Sequence, residues 1–169
     1  MRAVMLMALG GLTLTAGACN TVAPPVDTAP LLVGTTSPAP VADQDWFYYE
    51  DGGEARLVYG LAESDDLRLG LDCRDGSGRL TLSAVAGPDA QPELHLESGG
   101  ETQRFTARSE PSQLHDGVFL TANAATREPV FQRFRQVSWI ALWLDGERQA
   151  YAPHPGSASR IERFFSFCG

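Results

Sequence analysis

Leu67-Arg68-Leu69-Gly70-Leu71-Asp72-Cys73 decides the fold. Apolar side chains at 67, 69, 71 and 73 alternate with Arg68, Gly70 and Asp72, the period-two pattern of a strand with one buried face. Cys73 therefore faces inward. Asp75-Gly76-Ser77-Gly78 then supplies turn chemistry, and Arg79 to Val85 resumes the strand pattern. Further out, Leu94 and Leu96 alternate with Glu93, His95 and Glu97, and Gly99-Gly100 offers a two-residue hairpin into Thr102 to Arg108. Upstream, the aromatic-rich Trp46 to Glu50 turns at Asp51-Gly52-Gly53 into Ala55 to Tyr59. Val118 to Thr121 reads as another strand.

Two segments break the period. Between Thr126 and Gln136, Val130, Phe131 and Phe134 share one side of a helix, with Pro129 tolerated in its first turn. Near residue 169, Ser159 and Glu162 have the spacing of a capping box. Ile161, Phe164, Phe165 and Cys168 fall at i, i+3, i+4 and i+7. That stripe docks the helix on the sheet and turns Cys168 toward the Cys73 strand. Between the helices, Val137 to Leu144 is apolar on both faces, as a central strand requires, and Asp145-Gly146 turns it into Glu147 to Ala152. The expectation is an α+β domain over 45–169, mainly antiparallel sheet (a sandwich or half-barrel), with one mid-domain helix and a C-terminal helix.

The first residues carry an address. Arg2 precedes the apolar run Ala3 to Thr15, which has the length of a signal h-region and is shorter than the ~20 residues a spanning helix needs. The run ends at Ala16-Gly17-Ala18-Cys19, which resembles the lipobox of bacterial lipoproteins. The resemblance implies a signal peptide over 1–18 and a Cys19 that is acylated and becomes the N-terminus, attached to a membrane through its lipid. Asn20 after the cysteine resembles the pattern that sends many such lipoproteins to an outer membrane, facing the periplasm. Ala16-Gly17-Ala18 also satisfies the small-x-small rule of ordinary secretory cleavage, which would release a soluble periplasmic or secreted protein.

Three cysteines leave an exported protein with one to explain. With Cys19 lipidated, Cys73 and Cys168 remain as a pair in a compartment where a disulfide persists. A reactive thiol pair is the weaker reading, because C-x-x-C spacing and basic flanks are missing. From Asn20 to Gln44 lie five of the chain's 11 prolines and no aromatic residue. Such a stretch cannot bury enough apolar surface to offset the entropy of ordering it, so 19–44 reads as a disordered Pro/Ala/Thr-rich tether. As a flexible coil it would span ~25 to 30 Å r.m.s., enough to hold a domain clear of lipid headgroups.

The formal net charge is −8 and the chain has no lysine. That excludes a basic nucleic-acid footprint, a P-loop lysine and a Schiff-base lysine. His95, His115 and His154 are isolated, without zinc-ligand spacing, and His95 sits at an outward strand position. No G-x-S-x-G elbow surrounds any serine. Asp72 to Gly78 lacks the alternate-position acids of a calcium loop, and Ser64-Asp65-Asp66 reads as a turn. Arg127, Arg133 and Arg135 fit a solvated helix face better than an anion grip. No catalytic residue, cofactor or metal ligand is therefore assigned.

Trp46, Phe47, Tyr48 and Tyr49 alternate faces if extended, and Trp139 and Trp143 share one face of their strand. Most such aromatics are core. An outward pair, with Trp46 and Tyr48 as the candidates, would make a stacking platform for sugar rings or a patch for a protein partner. The functional expectation is a lipid-anchored envelope protein that is not an enzyme and acts as a binding or scaffolding domain for protein or glycan. Two alternatives stand beside it. One is an acidic inhibitor of a cationic hydrolase such as lysozyme: Gly76-Ser77-Gly78-Arg79 resembles the inhibitory loop of periplasmic lysozyme inhibitors. The other is an enzyme whose residues converge only in the fold.

Overall fold

The computed structural model describes residues 37–113 and 116–169. The signal-like run, Cys19, the tether as far as residue 36 and His115 lie outside the described residues.

Ten strands form two antiparallel sheets. The larger holds β1 (Gln44–Asp51), β2 (Glu54–Leu61), β3 (Leu67–Arg74), β4 (Arg79–Ala86), β7 (Arg108–Pro111) and β8 (Val118–Ala125), in the order β1-β2-β3-β4-β8-β7. The smaller holds β5 (Glu93–Ser98), β6 (Glu101–Thr106), β9 (Ile140–Leu144) and β10 (Glu147–Tyr151), in the order β10-β9-β5-β6. Helix α1 (Pro129–Val137) packs on β5 and β6, and α2 (Ala158–Cys168) packs on β1, β2 and β3. The expected α+β architecture is the one found, with β9 central in its sheet.

Turn chemistry sets the hairpins. Gly99 and Gly100 take φ of 52° and 97°, the left-handed pair that a two-residue hairpin needs and that side chains resist. Pairing then runs without a break from Glu93 opposite Thr106 to Ser98 opposite Glu101. At Gly60, where the β2–β3 register shifts, an added Cβ would lie 2.1 Å from the Asp66 carbonyl, so only glycine lets the chain close there.

The alternation read in β3 holds for Leu69, Leu71 and Cys73, which are buried, and for Arg68, exposed, and Asp72, half-buried; Leu67 is only half-buried and Gly70 is buried. Leu69, Leu71 and Cys73 join Leu57, Leu82 and Leu120 of the larger sheet and Leu94, Leu96, Ile140 and Leu142 of the smaller in one core. Val130, Phe131 and Phe134 of α1 and Ile161, Phe164 and Phe165 of α2 fill it, with Phe134 and Phe165 edge to face at 5.9 Å. Cys168 ends the buried stripe of α2 and is bonded to Cys73, with Cα atoms 5.7 Å apart across a separation of 95 residues.

Three local expectations differ. The strand expected over Val137 to Leu144 begins at Ile140, because Val137 ends α1 and Ser138 takes a left-handed φ of 62° as its cap, which leaves Trp139 before the strand. α2 begins at Ala158, after Ser157, and Ser159 reaches only the Gly156 carbonyl, so no capping box forms. Glu162 instead crosses to α1, where Arg135 holds it through two nitrogens at 2.7 and 3.2 Å. Strand β7 carries no signal in the sequence pattern. All four of its residues are exposed, so it carries no apolar alternation, and it exists through backbone pairing with β8.

Candidate functional site

The outer face of the larger sheet carries an unbroken ladder of opposed residues. Tyr49 of β1 faces Arg56 of β2, Arg56 faces Asp72 of β3, Asp72 faces Thr81 of β4, and Thr81 faces Asn123 of β8. Period two places all five away from the core, opposite their buried neighbours Leu57, Leu71, Leu80 and Ala122. Five strands at the usual spacing spread this row over about 19 Å. It lines a trough of about 1020 Å³, whose walls add Arg74, Ser77 and Arg79 from the β3–β4 hairpin, Gln103 of β6 and Glu128 just before α1.

Four of the eight charged side chains that line the trough form ion pairs. Arg56 Nε meets Asp72 Oδ1 at 2.6 Å, Arg74 meets Glu54 at 3.3 Å, and Gln103 donates to Glu128 at 2.9 Å. Among the described residues, the side chains of Tyr49, Thr81, Asn123 and Arg79 have no protein partner. Tyr49 is 59% exposed, the most open of the large apolar side chains. The arrangement offers an aromatic face, a central ion pair with spare donors and acceptors, and two free polar side chains on a rigid sheet.

The aromatic platform expected at Trp46 and Tyr48 is corrected by the phase of β1. Trp46 is fully buried, with Tyr59 and Phe134 rings 5.3 and 5.1 Å away and its Nε1 donating to the Tyr151 carbonyl. Tyr48 shares its side of the strand and is half-buried. Arg163 of α2 lies 5.0 Å from its ring, its hydroxyl donates to Glu50 at 2.6 Å, and burial first, then that bond, pushes its pKa up to about 12. Phe47 and Tyr49 occupy the other face, and Arg160 lies 5.6 Å from the Phe47 ring. The exposed aromatic of this strand is Tyr49.

A second polar cluster decorates the outer face of the smaller sheet. Glu97 is 6% exposed and accepts from Arg148 Nε and Nη2, each at 2.9 Å, and from Trp143 Nε1 at 3.0 Å. The Arg148 guanidinium holds the Glu97 carboxyl below the usual carboxylate range. Arg148 also lies 5.3 Å from the ring of Trp139, which is buried, and His95 stacks on Trp143 at 5.8 Å. Burial pulls the His95 pKa down, and Arg104 adds to the effect. Every group on Glu97 is answered within the protein, which makes this cluster a fixture of the sheet.

The turn at Asp75–Gly78 is anchored from behind. Gly76 N donates to the Phe167 carbonyl at 2.9 Å and Gly78 N to the Cys168 carbonyl at 2.8 Å. The Gly78 carbonyl accepts from Thr126 N at 3.1 Å. The disulfide therefore sits beside a hairpin tip that three backbone bonds fix in place, with Ser77 and Arg79 exposed on it.

The arginines of α1 are used internally. Arg133 donates to the Gly99 carbonyl at 3.2 Å and to Gln136 at 3.0 Å, and Arg135 binds Glu162. His154 places its Nε2 2.9 Å from the Val41 carbonyl. Among the described residues, no group of three His, Cys, Asp or Glu is placed to hold a metal ion, and no helix is long and apolar enough to cross a membrane. No family model, curated protein or solved structure matches this chain.

The ladder escaped sequence reasoning because it depends on strand order. Thr81 meets Asn123 only because β4 pairs with β8 across three intervening strands. The available signal was the outward parity of Arg56, Asp72 and Thr81 in consecutive hairpins.

Proposed function

We propose that this chain is a lipid-anchored protein of the bacterial envelope, held through Cys19 on the tether that precedes β1, whose domain binds a ligand in the trough without transforming it. The outer membrane, facing the periplasm, is the proposed location. The observation that carries the binding reading is the ladder from Tyr49 to Asn123, in which an exposed ring and unpartnered polar side chains sit on a stiff sheet. The lipobox-like Ala16–Cys19 and the pairing of the other two cysteines support the anchor.

Two measurements test it. Intact-mass analysis of the exported protein reports the diacylglycerol and acyl mass on Cys19; an unmodified Cys19 removes the anchor. For binding, wild-type domain and a Tyr49→Ala/Asn123→Ala variant are immobilised and challenged with the same envelope extract. Selective retention by the wild type is the expected result, and identical retention by both overturns the trough as the ligand seat.

A second reading is favoured by one observation, the anchored and exposed Ser77–Arg79 tip, since a preorganised loop is what a protein inhibitor presents. With a net charge of −8 the chain would attract a cationic hydrolase. Lysozyme assayed with excess domain decides: undiminished activity removes this alternative.

A further inference from the structure

We infer that the ligand of the trough is an uncharged carbohydrate chain lying across the strands, with one sugar ring against Tyr49. This rests on the trough being the ligand seat, and it narrows the chemistry of what sits there.

Charge comes first. Along the ladder Arg56 answers Asp72, and at the wall Arg74 answers Glu54. On the ladder itself the charged residues are Arg56 and Asp72, so an ionic ligand seated there would compete with their pair. At the Tyr49 end an anion would also meet Glu50 and Asp51. A neutral hydroxyl chain meets no such penalty. The pair still has capacity for it, because a guanidinium carries five donors and a carboxylate several acceptor sites, of which one contact uses only part.

The free groups point the same way. Thr81 and Asn123 each offer both a donor and an acceptor, which matches a sugar hydroxyl, itself both. Tyr49 supplies an exposed ring at one end, and the C–H face of a pyranose is its natural counterpart. Arg79, the lining cation without an ion pair among the described residues, stands at the hairpin rim and is exposed to solvent.

Direction separates this ligand from a peptide. An extended peptide reads a sheet through the backbone groups of an edge strand, running parallel to it. This ladder runs at right angles to the strands and offers side chains only, one position per strand at about 4.8 Å intervals. A linear polymer with polar groups at each repeat fits that array.

The test uses the exported full-length chain and four hexasaccharides in titration calorimetry: neutral N-acetylglucosamine and glucose hexamers, the cationic glucosamine hexamer and the anionic galacturonate hexamer. A neutral hexamer is expected to bind tighter than both charged ones. Raising salt should change that affinity by less than about twofold, because few ions are released. Tyr49→Ala should weaken it roughly tenfold or more, with Asn123→Ala weakening it by a smaller factor and near-UV dichroism confirming that both variants are folded. Tighter binding of a charged hexamer, indifference to Tyr49→Ala, or no binding of either neutral hexamer overturns the inference. In those cases the extract comparison separates the two claims. Selective, Tyr49-dependent retention of a protein would keep the seat and reject the carbohydrate, and identical retention by both forms would reject the seat.

Discussion

Arg148 closes on Glu97 with two nitrogens, Nε and Nη2, each 2.9 Å from a different carboxylate oxygen. The two partners are unequally buried, with side-chain exposure of 34% for Arg148 and 7% for Glu97. Removing the arginine leaves a carboxylate where water has little access, whereas removing the charge on Glu97 leaves an arginine that can swing into solvent. Arg148→Ala should therefore cost about 2–3 kcal/mol and Glu97→Gln about 1 kcal/mol, the latter because the Trp143 bond survives. Urea unfolding midpoints at pH 7 measure both. Equal losses would mean that Glu97 is as well solvated as Arg148.

The same cluster predicts how stability depends on pH. The folded pKa of Glu97 lies below its unfolded value, so its contribution is present above the ordinary carboxylate pKa and is lost as pH falls through the folded one. His95 also has a lowered folded pKa. Its protonation favours the unfolded chain, and stability begins to decline as pH drops below about 6.5, the decline ending once the folded form is protonated too. Two limbs should appear in a plot of unfolding free energy from pH 8 to 3. His95→Gln should flatten the upper limb and Glu97→Gln the lower. A lower limb unchanged in Glu97→Gln would show that other carboxylates carry the acid sensitivity.

The phase of β1 gives a contrast within four residues. Trp46→Ala removes a fully buried indole and a bond to the Tyr151 carbonyl and should cost about 3–5 kcal/mol. Tyr49→Ala removes an exposed ring and should shift stability by no more than about 0.5 kcal/mol. Thermal melts of the two variants decide between this phase and the opposite one, which would reverse the order.

That contrast also marks where sequence reading stops. Alternation in β3 and β5, glycine turns and the stripe from Ile161 to Cys168 are local patterns, and each has one structural solution. Four aromatics in a row have two, because Trp46 and Phe47 are equally suited to a core. What selects Trp46 is Phe134 arriving from α1, 88 positions downstream. The Glu97–Arg148 pair, 51 residues apart, and the Arg135–Glu162 pair, 27 apart, carry no spacing signal for the same reason. The spacing from Ser159 to Glu162 matches a local cap. In the fold an arginine lies closer. Strand β7 shows the converse case, in which backbone pairing alone makes a strand whose side chains are all in solvent.

Cys73 and Cys168 close a loop with a separation of 95 residues, holding nearly the whole described domain between its first hairpins and its last helix. In the chain-entropy account such a loop is worth about 4–5 kcal/mol, by restricting the unfolded chain. The native side should respond locally as well, because the Phe167 and Cys168 carbonyls that anchor the Asp75–Gly78 turn belong to the last turn of α2. Cys73→Ser/Cys168→Ser should lower the urea midpoint by the corresponding amount. In hydrogen exchange, the Gly76 and Gly78 amides should lose protection before the amides of β9, whose pairing in the smaller sheet does not touch the staple. Uniform loss across both sheets would mean that the bridge acts on the unfolded chain alone, and intact protection at Gly76 and Gly78 would mean that hydrogen bonds hold the turn without it.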